Sequence, residues 1–238
     1  MVNKPHLSAM NQKITRLLNT PNAFDMVAGR GRGNIVGYPR GSLFAFNFQG
    51  LDQNGLPTFD FGLYPSNQGE YAKNAGADFL DTQYAKSYLL YYGPIEPQVI
   101  GGLSNTIRYK DWELSFFLTM QAGNKIRLNH TFDPEFGDLN VFSKSYYNRW
   151  LNPGDERRTD VPVLPSQELI EKVGKENIER AYNTYNYSQM MIADGSFVRM
   201  KNISLAYHVP NDFLKKMRLQ TMDLRLNVTN PFLLYSDK

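Results

Sequence analysis

The sequence predicts an all-β fold: an antiparallel arc of a large transmembrane β-barrel, with long extracellular loops that contain short helices. Three observations support this prediction. Several segments alternate between apolar and polar residues, the period of a strand with one apolar face. Short and very long connections join these segments, as in outer-membrane barrels. No window of 18 consecutive apolar residues occurs, so no transmembrane helix is predicted.

The clearest alternation predicts strands at residues 98–109 and 112–122. Only Lys110 and Asp111 separate these two segments, which predicts a tight hairpin. Further strands are predicted at 196–209 and 221–230. The strand at 196–209 changes parity part-way, and we interpret Lys201-Asn202 as a β-bulge or as the boundary between two environments.

The N-terminal half gives weaker strand signals. The end of another strand is predicted within residues 6–17. A hairpin is predicted between residues 43–49 and 57–61, because Asn54-Gly55 favours a tight turn.

Two long connections, at about 20–97 and 123–195, are rich in Tyr, Asn, Pro and Gly. Helices are predicted within them at 143–151 and at 167–182, the second beginning after Ser166 as its N-cap. Trp150 and neighbouring tyrosines could bury one face of a short helix, so the connection after residue 122 is predicted to be ordered.

The alternation also predicts which side chains face lipid. The predicted lipid-facing residues are Trp112, Leu114, Phe116, Leu118, Met120, Met222, Leu224, Leu226 and Val228. The predicted lumen-facing residues are Glu113, Thr119, Asp223, Arg225 and Asn227. Aromatic residues at strand ends, namely Tyr109, Trp112 and Tyr207, are typical of an interfacial girdle.

A small open sheet cannot stand alone in lipid. Each open edge would leave about five N–H and five C=O groups unpaired, at several kcal/mol apiece. Either this sheet is soluble, or it is one arc of a larger barrel. The alternative is therefore a soluble β-sheet module for carbohydrate binding or surface interaction, in which the apolar face forms a closed core.

Composition excludes several classes. Lys and Arg number 26 against 23 Asp and Glu, and an excess of 26 − 23 = 3 positive charges does not indicate a nucleic-acid partner. The absence of cysteine excludes disulfides, thiolate nucleophiles and cysteine-ligated metals. His6, His130 and His208 lie on separate segments without ligand spacing. No catalytic motif occurs, so neither an enzyme nor a cofactor is predicted.

The run at 194–207, with Val209-Pro210 and residues 213–216 after it, resembles the late-barrel signature of the SusC/RagA family of TonB-linked outer-membrane proteins. Residues 93–109 and 110–125 resemble two successive strands of the family, and residues 149–156, with 159–162 after them, resemble its "RWxxPGDE" loop element. Residues 36–39, 48–52 and 54–57 resemble a loop hairpin of the same family.

This resemblance covers about residues 36–234. It implies a late part of a TonB-dependent nutrient importer, for oligosaccharides or peptides, in the cell outer membrane. It also implies that the parent works with the remainder of the barrel, a plug, a SusD-like lipoprotein and TonB. The plug and the closing strand are expected to be missing from this sequence, and the chain is expected to have no transport activity alone.

The loop aromatics have two interpretations. Tyr146, Tyr147, Trp150, Tyr182, Tyr185 and Tyr187 could stack on a sugar or face the lipoprotein lid. We favour the second interpretation, in which they pack the loop layer onto itself or onto the lid, because loops this long need a core of their own. Asp133, Glu135 and Asp138 offer carboxylates to a cation, but we favour an ordinary acidic loop as their explanation.

Overall fold

The structure of the chain is a computed structural model that describes residues 1–29, 33–62, 76–132 and 144–236. The described strands are β1 (Val2–Ala9), β2 (Ser42–Ala45), β3 (Asn47–Leu51), β4 (Pro57–Asp60), β5 (Leu90–Pro94), β6 (Val99–Tyr109), β7 (Trp112–Ala122), β8 (Lys125–Arg127), β9 (Ile192–Asp194), β10 (Phe197–His208) and β11 (Asp223–Ser236). The described α-helices are α1 (Ala23–Ala28), α2 (Ala85–Tyr88), α3 (Gln167–Val173), α4 (Lys175–Asn186) and α5 (Asn211–Met217).

Two compact units divide the chain. Unit 1 comprises Met1–Asn11, Glu96–Lys125 and Asp194–Lys238. Unit 2 comprises Gln12–Ile95 and Ile126–Ala193, the greater part of both long connections. No helix among the described residues is long and apolar enough to cross a membrane.

Unit 1 is a five-stranded antiparallel sheet in the order β1-β6-β7-β10-β11. Lys110 and Asp111 join β6 to β7, and Lys110 has a φ of 51° in this tight turn. The pairing of β10 with both neighbours shifts between Met200 and Asn202, which confirms the predicted bulge at Lys201-Asn202.

Both long connections leave and re-enter the sheet at the same end. Ala9 pairs with Val99, and Val99 pairs with Ala122. The next strand begins at Phe197, opposite Gln121. The opposite end carries the two-residue turn and the connection that contains α5, so connection length separates the two ends of the sheet.

Unit 2 contains the hairpin β3–β4, the pair β2–β5 and the helices α1 to α4. Asp52 Oδ1 accepts the N–H groups of Asn54 and Leu56, so the Asn54-Gly55 turn closes as predicted. Its core is aromatic, and the fully buried large side chains include Phe46, Phe132, Tyr182 and Tyr185. These side chains come from both long connections, so neither connection buries its apolar residues alone.

Local structure departs from the predictions in three places and agrees with them at the end of the first strand. The helix predicted at 167–182 is two helices, because Gly174 interrupts the turn with a φ of 93°. The helix predicted at 143–151 is a 3-10 helix at Lys144–Asn148, and Ser143 lies outside the described residues. The first strand is Val2–Ala9, so it ends within residues 6–17 as predicted. The last strand continues to Ser236 through an irregular pairing near Asn230, whose φ is 50°.

Candidate functional site

The register of unit 1 places apolar residues from all five strands on one face. Directly paired residues share a face of a sheet, so each cross-strand row can be followed from strand to strand. Starting at the short-turn end, the rows of this apolar face are Tyr109–Trp112–Tyr207–Leu224, Ile107–Leu114–Leu205–Leu226, Asn3–Asn105–Phe116–Ile203–Val228, Pro5–Leu103–Leu118–Met200–Phe232 and Leu7–Gly101–Met120–Val198–Tyr235. The only polar side chains in its inner rows are those of Asn3 and Asn105.

The opposite face is polar over most of its area. Its rows are Arg108–Glu113–Ala206–Arg225, Val2–Thr106–Ser115–Ser204–Asn227, Lys4–Ser104–Phe117–Asn202–Thr229, His6–Gly102–Thr119–Arg199–Leu233 and Ser8–Ile100–Gln121–Phe197–Ser236. Arg108 and Glu113 form an ion pair within this face. Small hydroxyl side chains occupy much of the rest, so the two faces differ sharply in polarity.

Eight of the nine residues predicted to face lipid share the apolar face. The five from β7 and the three from β11 that follow Asp223 all belong to it. Met222 lies just before β11, where its carbonyl accepts the N–H of Val209. The predicted lumen-facing residues lie on the opposite face. Alternation in β7 and β11 is the signal that carries this assignment.

Aromatic rings mark the short-turn end of the apolar face. Trp112 and Tyr207 are cross-strand partners with ring centroids 4.7 Å apart. Tyr109 of β6 is the second cross-strand partner of Trp112 and is 70 % exposed. Three amphipathic rings at one level of a sheet are typical of a membrane interface.

The loop aromatics do not form one open patch. Tyr182 and Tyr185 are buried, and both rings contact Phe132 edge-on at centroid distances of 4.9 Å and 5.8 Å. Burial raises the pKa of both phenols, so their hydroxyls stay neutral. The Tyr182 hydroxyl donates to the carbonyl of Val163. These two enclosed side chains form part of the core of unit 2. They present no ring face to a ligand.

Trp150 covers the turn at Asn54-Gly55. Gly55 has a φ of 76°, and a Cβ there would lie 2.6 Å from Trp150 Cδ2. The indole Nε1 donates to Glu156 Oε2 at 3.1 Å, and the N–H of Gly154 donates to the same oxygen at 2.7 Å. These hydrogen bonds lower the pKa of Glu156. Trp150 thus ties the second long connection to the first.

The remaining predicted loop aromatics differ in exposure. Tyr146 is half-buried, and the Arg149 guanidinium lies 4.4 Å from its ring centroid. Tyr187 is half-buried among Phe24, Phe79 and His130. Tyr147 is 84 % exposed and is the one ring of the six that solvent reaches freely.

Arg127 is a half-buried cation, with its Nε and Nη1 atoms enclosed, that sequence reasoning missed. Its Nη2 donates to the carbonyl of Phe44 at 2.8 Å, and its guanidinium lies 5.2 Å from the ring centroid of Tyr187. Burial lowers the pKa of Arg127 to about 10, and burial together with this cation lowers the pKa of His130. A single arginine in a polar strand carries no sequence signal of burial, because its partners are distant in the chain.

Metal-ligating groups do not cluster within the described ranges 1–29, 33–62, 76–132 and 144–236. Asp133, Glu135 and Asp138 lie outside these ranges. The three histidines are separate, with His208 paired to Asp223 at 2.7 Å, His130 beside Tyr187 and His6 over Gly102.

Known proteins share both sequence and fold with this chain. No family model matches it. TonB-dependent receptor P3 of Formosa agariphila is 30 % identical over 138 residues, which are 58 % of this chain and 12 % of the receptor. TonB-dependent receptor P39 of the same organism is 24 % identical over 186 residues, 76 % of this chain and 14 % of the receptor.

Solved structures of the RagAB peptide importer superpose on nearly the whole chain. The closed-closed state matches with a TM-score of 0.61 and 20 % identity, over 98 % of this chain and 24 % of the matched chain. The open-open state matches with a TM-score of 0.62 and 21 % identity, over 98 % and 23 %. This chain spans about an eighth of the curated relatives and about a quarter of the matched structures.

These comparisons confirm the predicted fold class, an antiparallel all-β arc of the kind found in an outer-membrane receptor barrel. They also confirm the resemblance to the SusC/RagA family of TonB-linked receptors. The matched proteins are receptors and an importer, not enzymes, which agrees with the prediction that the chain is not an enzyme.

Proposed function

We propose that this chain forms part of a TonB-dependent nutrient importer in the cell outer membrane. In this proposal the sheet of unit 1 is a section of the barrel wall, with its apolar face in lipid. Unit 2 forms the extracellular loops, since its two segments join the sheet at the long-connection end. The observation that carries the proposal is the segregation of apolar and polar rows over all five strands.

Strand length supports a membrane position. β6 and β7 have 11 residues each and β10 has 12, against the 9–11 residues that a tilted membrane strand needs. From Trp112 to Met120 the apolar face of β7 extends for about 27 Å, at about 3.4 Å per residue. A strand tilt of about 40° reduces this length to roughly 21 Å along the membrane normal, close to the apolar band of about 25 Å in outer-membrane barrels.

The open edges of the sheet imply further strands. Among the described strands, β1 pairs only with β6 and β11 pairs only with β10. Unpaired backbone groups in hydrocarbon cost several kcal/mol each, so lipid requires partners for both edges. We propose that the remainder of the barrel supplies them and that the polar face looks toward a plug inside it.

The loop unit fits a role in shaping a binding chamber. Its aromatic core makes it self-supporting, so exposed positions can vary without loss of the fold. Tyr147 is the loop aromatic we propose for contact with the nutrient or with a SusD-like lipoprotein, since its ring is open. The nutrient is proposed to be an oligosaccharide or a peptide, and uptake is proposed to be driven by TonB acting on the plug.

Tryptophan quenching by brominated lipids tests the membrane assignment. The chain has two tryptophans, Trp112 on the apolar face and Trp150 in unit 2. Trp150→Phe leaves Trp112 as the only tryptophan of this chain, and Trp112→Phe leaves Trp150. In the complete membrane-inserted receptor, with any tryptophan outside this chain replaced by phenylalanine, lipid brominated near the headgroup should quench Trp112 strongly and Trp150 little.

The two single-tryptophan variants control for each other, because both are measured in the same lipid and in the same protein. Equal and weak quenching of both tryptophans would overturn the membrane assignment. A chain that remains monodisperse in plain buffer, with Phe116 protected, would favour the soluble carbohydrate-binding or surface-interaction module instead.

A further inference from the structure

The register between β1 and β6 is not set by a turn. Residues 10–98 separate these paired strands, whereas two residues separate β6 from β7. In a hairpin the turn fixes which residues pair, but a connection of this length leaves the pairing free to slip. Side-chain contacts between β1 and β6 are therefore needed to favour one β1–β6 pairing over another.

An amide pair lies at this strand junction. Asn105 Nδ2 donates to Asn3 Oδ1, and the two residues are direct cross-strand partners. They occupy the middle one of the five rows of the apolar face, between rows of aliphatic and aromatic side chains. Asn105 is 6 % exposed, and its Oδ1 has no hydrogen-bond partner within the described residues. Asn3 is exposed, and its Oδ1 is the hydrogen-bond partner of the buried Asn105 amide.

Two glycines form a second complementary feature. A Cβ on Gly102 would lie 2.4 Å from His6 Cε1 and 3.1 Å from Phe117 Cε2. A Cβ on Gly101 would lie 2.7 Å from Met120 Cε and 3.2 Å from Leu7 Cδ1. The bare backbone of β6 therefore receives His6 on one face and Leu7 on the other.

A slip of two residues is the relevant competitor, because a slip of one would exchange the two faces. In either two-residue slip, Asn3 faces Leu103 or Ile107 and Asn105 loses its partner. His6 and Leu7 then leave the glycines as well. Both features thus favour the same single register.

We propose that the Asn3–Asn105 pair and the Gly101-Gly102 cradle act together as a lock that selects the β1–β6 register. The strength of the amide contribution rests on the proposed function, since an unpaired amide is most unfavourable in hydrocarbon. The glycine contribution depends on shape alone. The lock keeps Leu7 on the apolar face and His6 on the polar face of the sheet.

Disulfide trapping in the membrane-inserted protein tests the lock. This chain has no cysteine, so two introduced thiols report the pairing directly. Lys4→Cys with Ser104→Cys reports the observed register, since Lys4 and Ser104 are partners. Lys4→Cys with Thr106→Cys reports a two-residue slip. We expect efficient oxidation of the first pair and little of the second.

Removal and relocation of the amide pair should change the ratio of the slipped crosslink to the observed one. Asn3→Leu with Asn105→Leu should raise the slipped crosslink about tenfold relative to the observed one. Asn3→Leu with Pro5→Asn moves one amide by two residues and should favour the slipped crosslink further. Asn227→Leu, a substitution of the same kind on β11, should leave the ratio unchanged.

An unchanged ratio in both amide variants would overturn the lock. Slipping in all variants, including Asn227→Leu, would overturn it too, because the amides would then have no specific role. These results are independent of lipid quenching at Trp112. A locked register without lipid quenching would refute the membrane assignment while retaining the lock.

Discussion

Replacement of Gly55 by alanine should loosen the loop unit through Trp150. Gly55 has a φ of 76°, and its added Cβ would lie 2.6–2.8 Å from three indole atoms of Trp150. Contacts this short cannot persist, so the indole must move away from the turn. Trp150 is only 8 % exposed, which means that this movement exposes buried apolar surface.

The expected loss follows from two contributions. Left-handed backbone at alanine costs about 1–2 kcal/mol. Burial of a tryptophan side chain, at about 25 cal/mol per Å² over roughly 150–250 Å², stabilises by about 4–6 kcal/mol. Losing a third of this burial together with the backbone strain gives about 2–4 kcal/mol of local destabilisation.

Gly50→Ala is the matched control. Gly50 lies in the same hairpin with a φ of 110°, so alanine there also meets backbone strain. A Cβ at Gly50 would have no atom within 4 Å, so Trp150 should stay in place. The difference between the two variants isolates the contribution of the indole contact.

Fluorescence and limited proteolysis measure the outcome. In a Trp112→Phe background, Gly55→Ala should shift the Trp150 emission to the red and increase cleavage between residues 144 and 163. Gly50→Ala should do neither to a comparable degree. Equal spectra and equal cleavage in the two variants would refute the argument that Trp150 holds the two long connections together.

Three further predictions concern other parts of the chain. Leu118→Arg, on the apolar face, should destabilise the membrane-inserted fold by about 2–4 kcal/mol and so reduce the yield of folded protein in membranes. Thr119→Arg, on the opposite face, should leave that yield unchanged. Equal yields from the two variants would contradict the face assignment. Tyr182→Phe should lower the free energy of unfolding by about 1–3 kcal/mol, because it leaves the Val163 carbonyl unpaired. Tyr185→Phe should be nearly neutral. Comparable melting temperatures of the two variants would argue against this role of the Tyr182 hydroxyl. Hydrogen bonds from Ser196 and Lys125 lower the pKa of Asp194 from 3.8 to about 2, so the stabilisation by Asp194 is present above pH 3.8 and is lost as pH falls toward 2. Asp194→Asn should flatten the plot of melting temperature against pH in that window. A plot that keeps its slope in the variant would assign the effect to another group.

Local periodicity was sufficient to predict four of the five strands of unit 1, namely β6, β7, β10 and β11. Trp112 to Met120 alternate with polar residues because one face of β7 is apolar, and the same holds for Leu224 to Val228. The bulge was predictable because the parity change at Lys201 interrupts that period. Only the end of β1 was predicted, since Lys4, Pro5 and His6 interrupt any alternation and its pairing depends on contacts with a strand about 90 residues away.

Unit 2 could not be predicted in the same way, because its contacts are long-range. Gln189 donates to the Phe48 carbonyl and accepts the Phe48 N–H, across 141 residues. Thr184 Oγ1 accepts the N–H of Ala77 across 107 residues. Residue type also fails here, because a tyrosine suits a sugar-binding surface and a buried core equally well. Exposure of Tyr147 and burial of Tyr182 depend on the partners that the fold brings together.

This interweaving limits how the loops can change. Deleting or replacing one long connection would expose the aromatic core contributed by the other, since Phe46 and Phe48 come from the first and Phe132, Tyr182 and Tyr185 from the second. The two connections therefore behave as one folded unit. Variation in binding properties is compatible with stability only at exposed positions such as Tyr147, Leu151 and Arg157. A nutrient specificity encoded in these loops is thus expected to reside in side chains at the surface of unit 2, with the aromatic core kept constant.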